Sequence, residues 1–176
     1  MKHLFFAIHY LELGGAERSL VGLLRALDYS KVQVDLFIYS HRGELIKAIP
    51  QEVDLLPEIP EYAQIERPLK EVLQDGYLRL FLARIRAKWH FAQYRKKSHP
   101  NDGNAIFSYV SKNVTPLLPP INPEVEYDLA ISSWPRTTSF WKRSMHEKRL
   151  AGSIRIIQWW MLTLTWNSLF GANTTI

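Results

Sequence analysis

The feature that most constrains the fold is an alternation of short apolar runs and helical segments. Apolar runs occupy Lys2–Ile8, Val32–Ser40 and Glu52–Ile59, and each has the length of a buried strand. Side chains at helical spacing follow the first run, and Gly43–Ile49 predicts a short helix after the second. A fourth run, Glu124–Ser132, follows a proline-rich turn. The order predicts an α/β fold with a Rossmann-like, doubly wound parallel sheet.

A long helical insertion separates the third and fourth runs, at about residues 66–112. Its main helix is predicted at Tyr77–Lys97, and a loop is predicted at Lys97–Asn104. One apolar stripe is formed by Leu78, Leu82, Ile85, Trp89 and Ala92. The helix has seven cations with no acid between them: Arg79, Arg84, Arg86, Lys88, Arg95, Lys96 and Lys97.

The basic helix has two interpretations. In the first, its apolar stripe packs on the sheet and its cations are solvated. In the second, it lies on a membrane surface, with Trp89, Phe91 and Tyr94 at the interface and the cations on anionic lipid. The candidates for membrane contact are Arg84, Arg86, Lys88, Trp89, Arg95 and Lys96. Binding to nucleic acid is not expected, because the aromatic residues do not form a platform for bases.

The segment Leu11–Leu20, LELGGAERSL, contains adjacent glycines between the first strand and the first helix. Glycines there permit a positive φ and a close approach of a ligand to the backbone, and the amides of a helix start favour an anion. The alternative is a tight turn in which Glu17 complements the helix dipole. The segment matches neither the dinucleotide-binding nor the P-loop pattern, so it does not specify a nucleotide.

The run HYLELGGAERSLVGLLRALDYSKVQVDLFIYSHRGEL closely resembles the amino-terminal domain of GT-B glycosyltransferases of the group 1, or family 4-like, type. The resemblance covers residues 1 to about 132. It implies that Gly14, Gly15, Ala16 and Glu17 border a cleft between two Rossmann-like domains, where a sugar is transferred. It also implies metal-independent transfer with retention of configuration, from a nucleotide-sugar donor to a glycan or lipid-linked acceptor, without a cofactor.

In that family the second domain binds the nucleotide-sugar and carries paired glutamates. We therefore expect this chain alone to be inactive. Two further residues are substrate-binding candidates. His9 follows the first strand and Arg18 lies in the first turn of the helix. For both, a structural or solvent-exposed role is the alternative. Two other hypotheses are a non-catalytic membrane- or partner-binding module and a fragment that folds poorly.

The composition changes after Ser132. Residues 1–132 contain 16 Lys and Arg and 16 Asp and Glu, whereas residues 133–176 contain six Lys and Arg and one Glu. The tail also has five of the six Trp and six of the seven Thr. Its back-translated codons, read one base over, allow a Trp-Ile-His-Thr-Asp segment that resembles the continuation of the family. We predict that the tail is a frameshift product and that the sheet is incomplete, with an open edge at its C-terminal side.

The cysteine count limits the chemistry of the chain. With no Cys, it has no disulfide, thiolate metal site or Cys nucleophile, which fits a reducing compartment.

The first apolar run is shorter than the core of a signal peptide, and no apolar run reaches the roughly 18 residues of a spanning helix. We expect a cytoplasmic protein, free or peripheral to the inner face of the membrane.

Overall fold

The computed structural model describes residues 1–97, 105–132 and 155–158. The loop predicted at Lys97–Asn104 lies outside the described residues apart from Lys97. The tail predicted to be a frameshift product also lies outside them, apart from Arg155–Gln158.

The described residues belong to two compact units. The first contains the sheet and is formed by residues 1–57, 127–132 and 155–158. The second is helical and is formed by residues 58–97 and 105–126. The insertion predicted at about 66–112 therefore belongs to a helical unit that begins earlier and ends later than expected.

One parallel sheet organises the first unit. In the described residues its strands are β1 (Lys2–Ile8), β2 (Val32–Ile38), β3 (Val53–Leu55), β4 (Leu129–Ser132) and β5 (Arg155–Gln158). They lie in the order β3-β2-β1-β4-β5, and every neighbouring pair is parallel. Helix α1 (Gly15–Ala26) connects β1 to β2. The prediction of a Rossmann-like parallel α/β sheet is confirmed at this level, because this strand order is that of the Rossmann fold.

Both faces of the central strands are buried. On one face, Leu4 and Phe6 of β1 join the side chains of β2 in a core against Leu20 and Leu24 of α1. On the other face, Phe5 is also buried. A parallel sheet covered on both sides requires apolar residues at successive positions, which explains the uninterrupted apolar runs.

Three predicted strands are shorter than their apolar runs, and the first of them, β2, ends at Ile38 rather than Ser40. β3 ends at Leu55, and because Pro57 has no N–H, the pairing cannot continue far beyond it. β4 begins at Leu129 rather than Glu124. Just before β4, the Asp128 carboxylate accepts a hydrogen bond from the His3 amide at 2.7 Å, and the Asp128 amide donates one to the His3 carbonyl at 2.9 Å. The helix predicted at Gly43–Ile49 is a 3-10 helix at Glu44–Ala48.

The sheet was predicted to lack every strand after β4, and in the described residues it has one more. Leu129–Ser132 pairs with β1 on one side and with Arg155–Gln158 on the other. Four residues of the compositionally unusual tail therefore have strand pairing in the sheet.

The helical unit contains α2 (Pro60–Ala63), α3 (Leu69–Gln74), α4 (Leu78–Lys97) and α5 (Ala105–Val114). The long basic helix is confirmed, since α4 spans the predicted range within one residue. It packs against α3 and α5. The Arg67 guanidinium bonds Glu71 at 3.0 and 3.1 Å and also bonds Asp75, which fixes the connection between α2 and α3.

The face on which α4 packs is not the predicted one. Leu80, Ala83 and Ala87 are buried, and the small alanines allow a neighbouring helix to approach closely. On the same side, the rings of His90, Phe91 and Tyr94 lie 5.9–6.4 Å from the Tyr109 ring of α5. The predicted stripe points outward, because its members are all exposed: Leu78, Leu82, Ile85, Trp89 and Ala92.

This assignment of faces predicts opposite effects for two substitutions. Ala87→Leu adds three carbons at a fully buried position, and should lower the free energy of unfolding by about 1–3 kcal/mol. Leu82→Ala truncates an exposed side chain and should change it by less than about 0.5 kcal/mol. Urea unfolding followed by circular dichroism measures both. A large loss for Leu82→Ala with a small one for Ala87→Leu would reverse the assignment.

Candidate functional site

The strand order locates the most favourable binding position in the first unit. In an open α/β sheet, ligands bind beyond the carboxyl ends of the strands, where neighbouring connections leave in opposite directions. Here that position lies at the ends of β1 and β4, next to Ile8 and Ser132. The turn from β1 to α1 contains Gly14 and Gly15 and begins at this edge.

The glycine turn does not have the predicted backbone conformation. Gly14 is the N-cap of α1 with φ −110° and ψ 171°, an extended conformation that other residues also adopt. Neither Gly14 nor Gly15 has a positive φ, so that part of the prediction is wrong. The Glu17 side chain, and not the backbone conformation, favours the smallest residue at position 14. A Cβ there would overlap the Glu17 carboxylate, which folds back over the turn.

Gly15 has open space around it. A Cβ at this position would have no neighbour within 4 Å. The amides of Gly15, Ala16 and Glu17 belong to the first turn of α1, where amides have no acceptor within the helix. The first helical bond is from the Arg18 amide to the Gly14 carbonyl, at 3.1 Å. The backbone at Gly15 is therefore exposed, with space beside it.

Glu17 gives the turn an acceptor beside these donors. Its carboxylate is half-buried at the positive end of the α1 dipole, where a negative charge is stabilised. Arg18 is exposed on the following helical position. Ser19 donates its hydroxyl to the Gly15 carbonyl at 2.8 Å, which stabilises the first turn without using an amide.

A second loop holds the glycine turn in place, and its key residue was not predicted. The Leu11 amide donates to the Arg42 carbonyl, and the Leu45 amide donates to the Leu11 carbonyl, each at 3.0 Å. Gly43 lies between these contacts with φ +115°, and a Cβ there would overlap the Leu11 carbonyl. Only glycine fits this close approach with that φ. A glycine in the turn His41–Glu44 was the sequence signal for this role, but the Leu11 carbonyl that it contacts lies about thirty residues earlier.

His9 lies in the loop after β1, as predicted, but it is half-buried. Its ring lies 4.6 Å from the Tyr39 ring at the end of β2. The next residue, Tyr10, carries the Arg42 guanidinium over its ring at 4.7 Å, and Arg42 also pairs with Glu12 at 3.5 Å. These contacts favour a supporting role for His9, since its ring packs on the Tyr39 ring.

A buried polar cluster lies toward the amino ends of the strands, away from the glycine turn. The Asp35 carboxylate, 2% exposed, is 2.8 Å from His3 Nε2 and accepts the Tyr127 hydroxyl at 2.5 Å. The Tyr127 ring packs on His3 and Phe5, with centroids 4.8 and 5.0 Å apart. The cluster joins the entrance of β4 to β1 and β2, so we assign it to the fold. Its signal was one carboxylate inside an apolar run, but the partner Tyr127 could not be identified without the topology.

The membrane-contact candidates on α4 divide into two groups. Arg84 is half-buried, and its guanidinium donates to the carbonyls of Gln64 and Arg67 at 2.9 and 2.6 Å. Burial lowers the pKa of Arg84, and the charge of Glu66 acts in the opposite direction. The assignment of Arg84 to a membrane surface is therefore wrong. The remaining candidates are exposed: Arg86, Lys88, Trp89, Arg95 and Lys96. Phe91 and Tyr94 pack on Tyr109 instead of facing outward.

No group of three or more His, Asp or Glu side chains in the described part of the chain could hold a metal ion. Within the same residues, no helix combines the length and apolar character needed to cross a bilayer.

No protein-family profile, curated protein or solved structure matches this chain.

The contact between the two loops predicts a contrast between two glycines. Gly43→Ala places a Cβ against the Leu11 carbonyl at φ +115°, and should cost about 1–3 kcal/mol of unfolding free energy or more. Gly15→Ala enters open space at the start of α1, and should be neutral or stabilising by up to about 1 kcal/mol. Urea unfolding of both variants measures the difference. Equal losses would contradict the assigned role of Gly43.

Proposed function

We propose that this chain is the acceptor-side, amino-terminal half of a GT-B glycosyltransferase. The complete enzyme would transfer a sugar from a nucleotide-sugar donor to a glycan or lipid-linked acceptor. The observation that carries the proposal is the position of the GGAE turn, Gly14–Glu17. It begins α1 at the carboxyl edge of a β3-β2-β1-β4-β5 parallel sheet, beside the crevice where such sheets bind ligands.

The chemistry of the turn favours a hydroxyl-rich ligand over a diphosphate. A bare helix N-terminus attracts anions, but the Glu17 carboxylate already lies over Gly14 and would repel a second negative charge. A sugar hydroxyl can donate to that carboxylate and accept from a first-turn amide. The open space at Gly15 leaves room for this approach.

The division of roles follows from this chemistry. In this proposal, Glu17 and the amides of Gly15 and Ala16 orient the acceptor, and Gly14 leaves room for the Glu17 carboxylate to fold over the turn. His9 supports the loop through its ring contact with Tyr39. The nucleotide-sugar is bound by a second domain, so the chain alone should transfer no sugar from any nucleotide-sugar. Measurable turnover by the purified chain would contradict this division.

The proposal predicts that Glu17 determines affinity for neutral sugars. A panel of neutral mono- and disaccharides, screened by saturation-transfer NMR, should contain weak binders. Glu17→Gln should weaken the best of them roughly tenfold, because a hydrogen bond to a charged acceptor is replaced by a weaker one to a neutral amide oxygen. The matched control is Glu12→Gln, which neutralises an exposed carboxylate in the same turn and should leave the affinity within about twofold.

Two results would contradict this assignment. One is a panel in which no saccharide binds. The other is equal weakening by Glu17→Gln and Glu12→Gln, which would show that the loss reflects net charge and not a specific contact.

A further inference from the structure

The outward side of α4 combines an apolar stripe with flanking cations. We define the outer stripe as Leu78, Leu82, Ile85 and Trp89, whose exposed fractions are 54%, 54%, 42% and 58%. Their spacings of four, three and four residues align them along one side of the helix, over about 16 Å. Large apolar side chains aligned in this way indicate an interaction surface more strongly than scattered ones do.

Exposed cations lie on both sides of the outer stripe. A period of 3.6 residues puts Arg79 and Arg86 about a quarter turn to one side of the stripe. It puts Lys88 and Arg95 about a quarter turn to the other side. All four are exposed, and α4 contains no acidic residue. The stripe is thus bordered by positive charge along its length.

We propose that α4 binds the surface of an anionic lipid bilayer through the outer stripe. The helix would lie parallel to the membrane, with its four apolar side chains among the upper acyl chains. The flanking cations would then reach the lipid phosphates on both sides. Trp89 suits the boundary, because an indole has a large apolar ring and one polar N–H. This inference does not depend on the proposed sugar transfer.

The arrangement of charge favours a bilayer over other occupants. In a second copy of the chain, two outer stripes in contact would bring the same cations together, and the repulsion would oppose the pairing. A nucleic acid would neutralise the cations but would leave the apolar stripe between them without a partner. A bilayer interface offers acyl chains and negative charges at neighbouring depths, as this surface requires.

Arg84 explains why the rest of the unit can support such a surface. Its guanidinium is turned away from the stripe and bonds two carbonyls of the connection between α2 and α3. The opposite face of α4 is packed through Ala83 and Ala87. The helix is therefore anchored on one side, and its outer stripe can bind lipid without unfolding the unit.

Vesicle sedimentation of the full chain tests the proposal. The probes are vesicles of phosphatidylcholine alone and of phosphatidylcholine with one quarter phosphatidylglycerol. The chain should bind the anionic vesicles preferentially, and raising the salt from 0.15 to 0.5 M should weaken binding. Neither vesicle contains a glycan, so failure here leaves the sugar-binding test unaffected.

Two double variants separate the stripe from the cations. Arg86→Gln with Lys88→Gln should weaken binding to anionic vesicles roughly tenfold or more, given the attraction that each surface cation contributes. Leu82→Ser with Trp89→Ser keeps the charge and should cause a loss of similar size. All four residues are exposed, so circular dichroism and the unfolding midpoint should not change.

Matched controls remove the same chemistry elsewhere. Lys47→Gln with Lys70→Gln removes two exposed cations outside α4, and Leu13→Ser removes an exposed leucine in the sheet unit. Both should keep wild-type vesicle binding within about twofold. Absence of binding would overturn the proposal, and so would equal binding to both vesicles. Losses as large in the controls would assign binding to other residues, and stripe variants that change only the oligomeric state would assign the surface to a second copy.

Discussion

The structure of the first unit depends on β1, which is hydrogen-bonded along both sides. Its partners are β2 and β4, and its two faces are buried. The other features of this unit are positioned by contacts at the two ends of that strand. The Asp35 cluster joins β2 and the entrance of β4 to its amino end. At its carboxyl end, the loop through Leu11 is held by Gly43, and the glycine turn begins there.

The sequence contained enough to predict the elements that depend on local periodicity. The first two strands, α1 and α4 lie where the apolar pattern placed them, because propensity and burial agree there. The prediction of which face of α4 is packed was wrong, because the helix is apolar on two sides. Leu78, Leu82, Ile85 and Trp89 form the stronger stripe by hydrophobicity, yet the close approach of α5 uses the small Ala83 and Ala87.

The position of the candidate site in the fold was predictable, but the contacts that hold it in place were not. The position of Gly14–Glu17 after the first strand was enough to locate a turn at the carboxyl edge. The role of Gly43 depends on a contact with Leu11 about thirty residues away, and that of Asp35 on Tyr127, 92 positions later. Such long-range pairs depend on the strand order, which local patterns in a single sequence do not reveal. The contact that favours glycine at position 14 involves the flexible Glu17 side chain and not the predicted positive φ.

We propose that the GGAE turn binds a neutral, hydroxyl-rich ligand at the carboxyl edge of the sheet. The most direct measurement is amide chemical-shift mapping of the ¹⁵N-labelled chain during titration with the best-binding saccharide. The shifts should concentrate at Gly14–Arg18 and in the adjoining Arg42–Leu45 loop, while the amide signals of His3, Asp35 and Tyr127 should not change. Shifts confined to residues away from this edge, or stronger shifts at the turn with inorganic pyrophosphate than with the saccharide, would contradict this proposal.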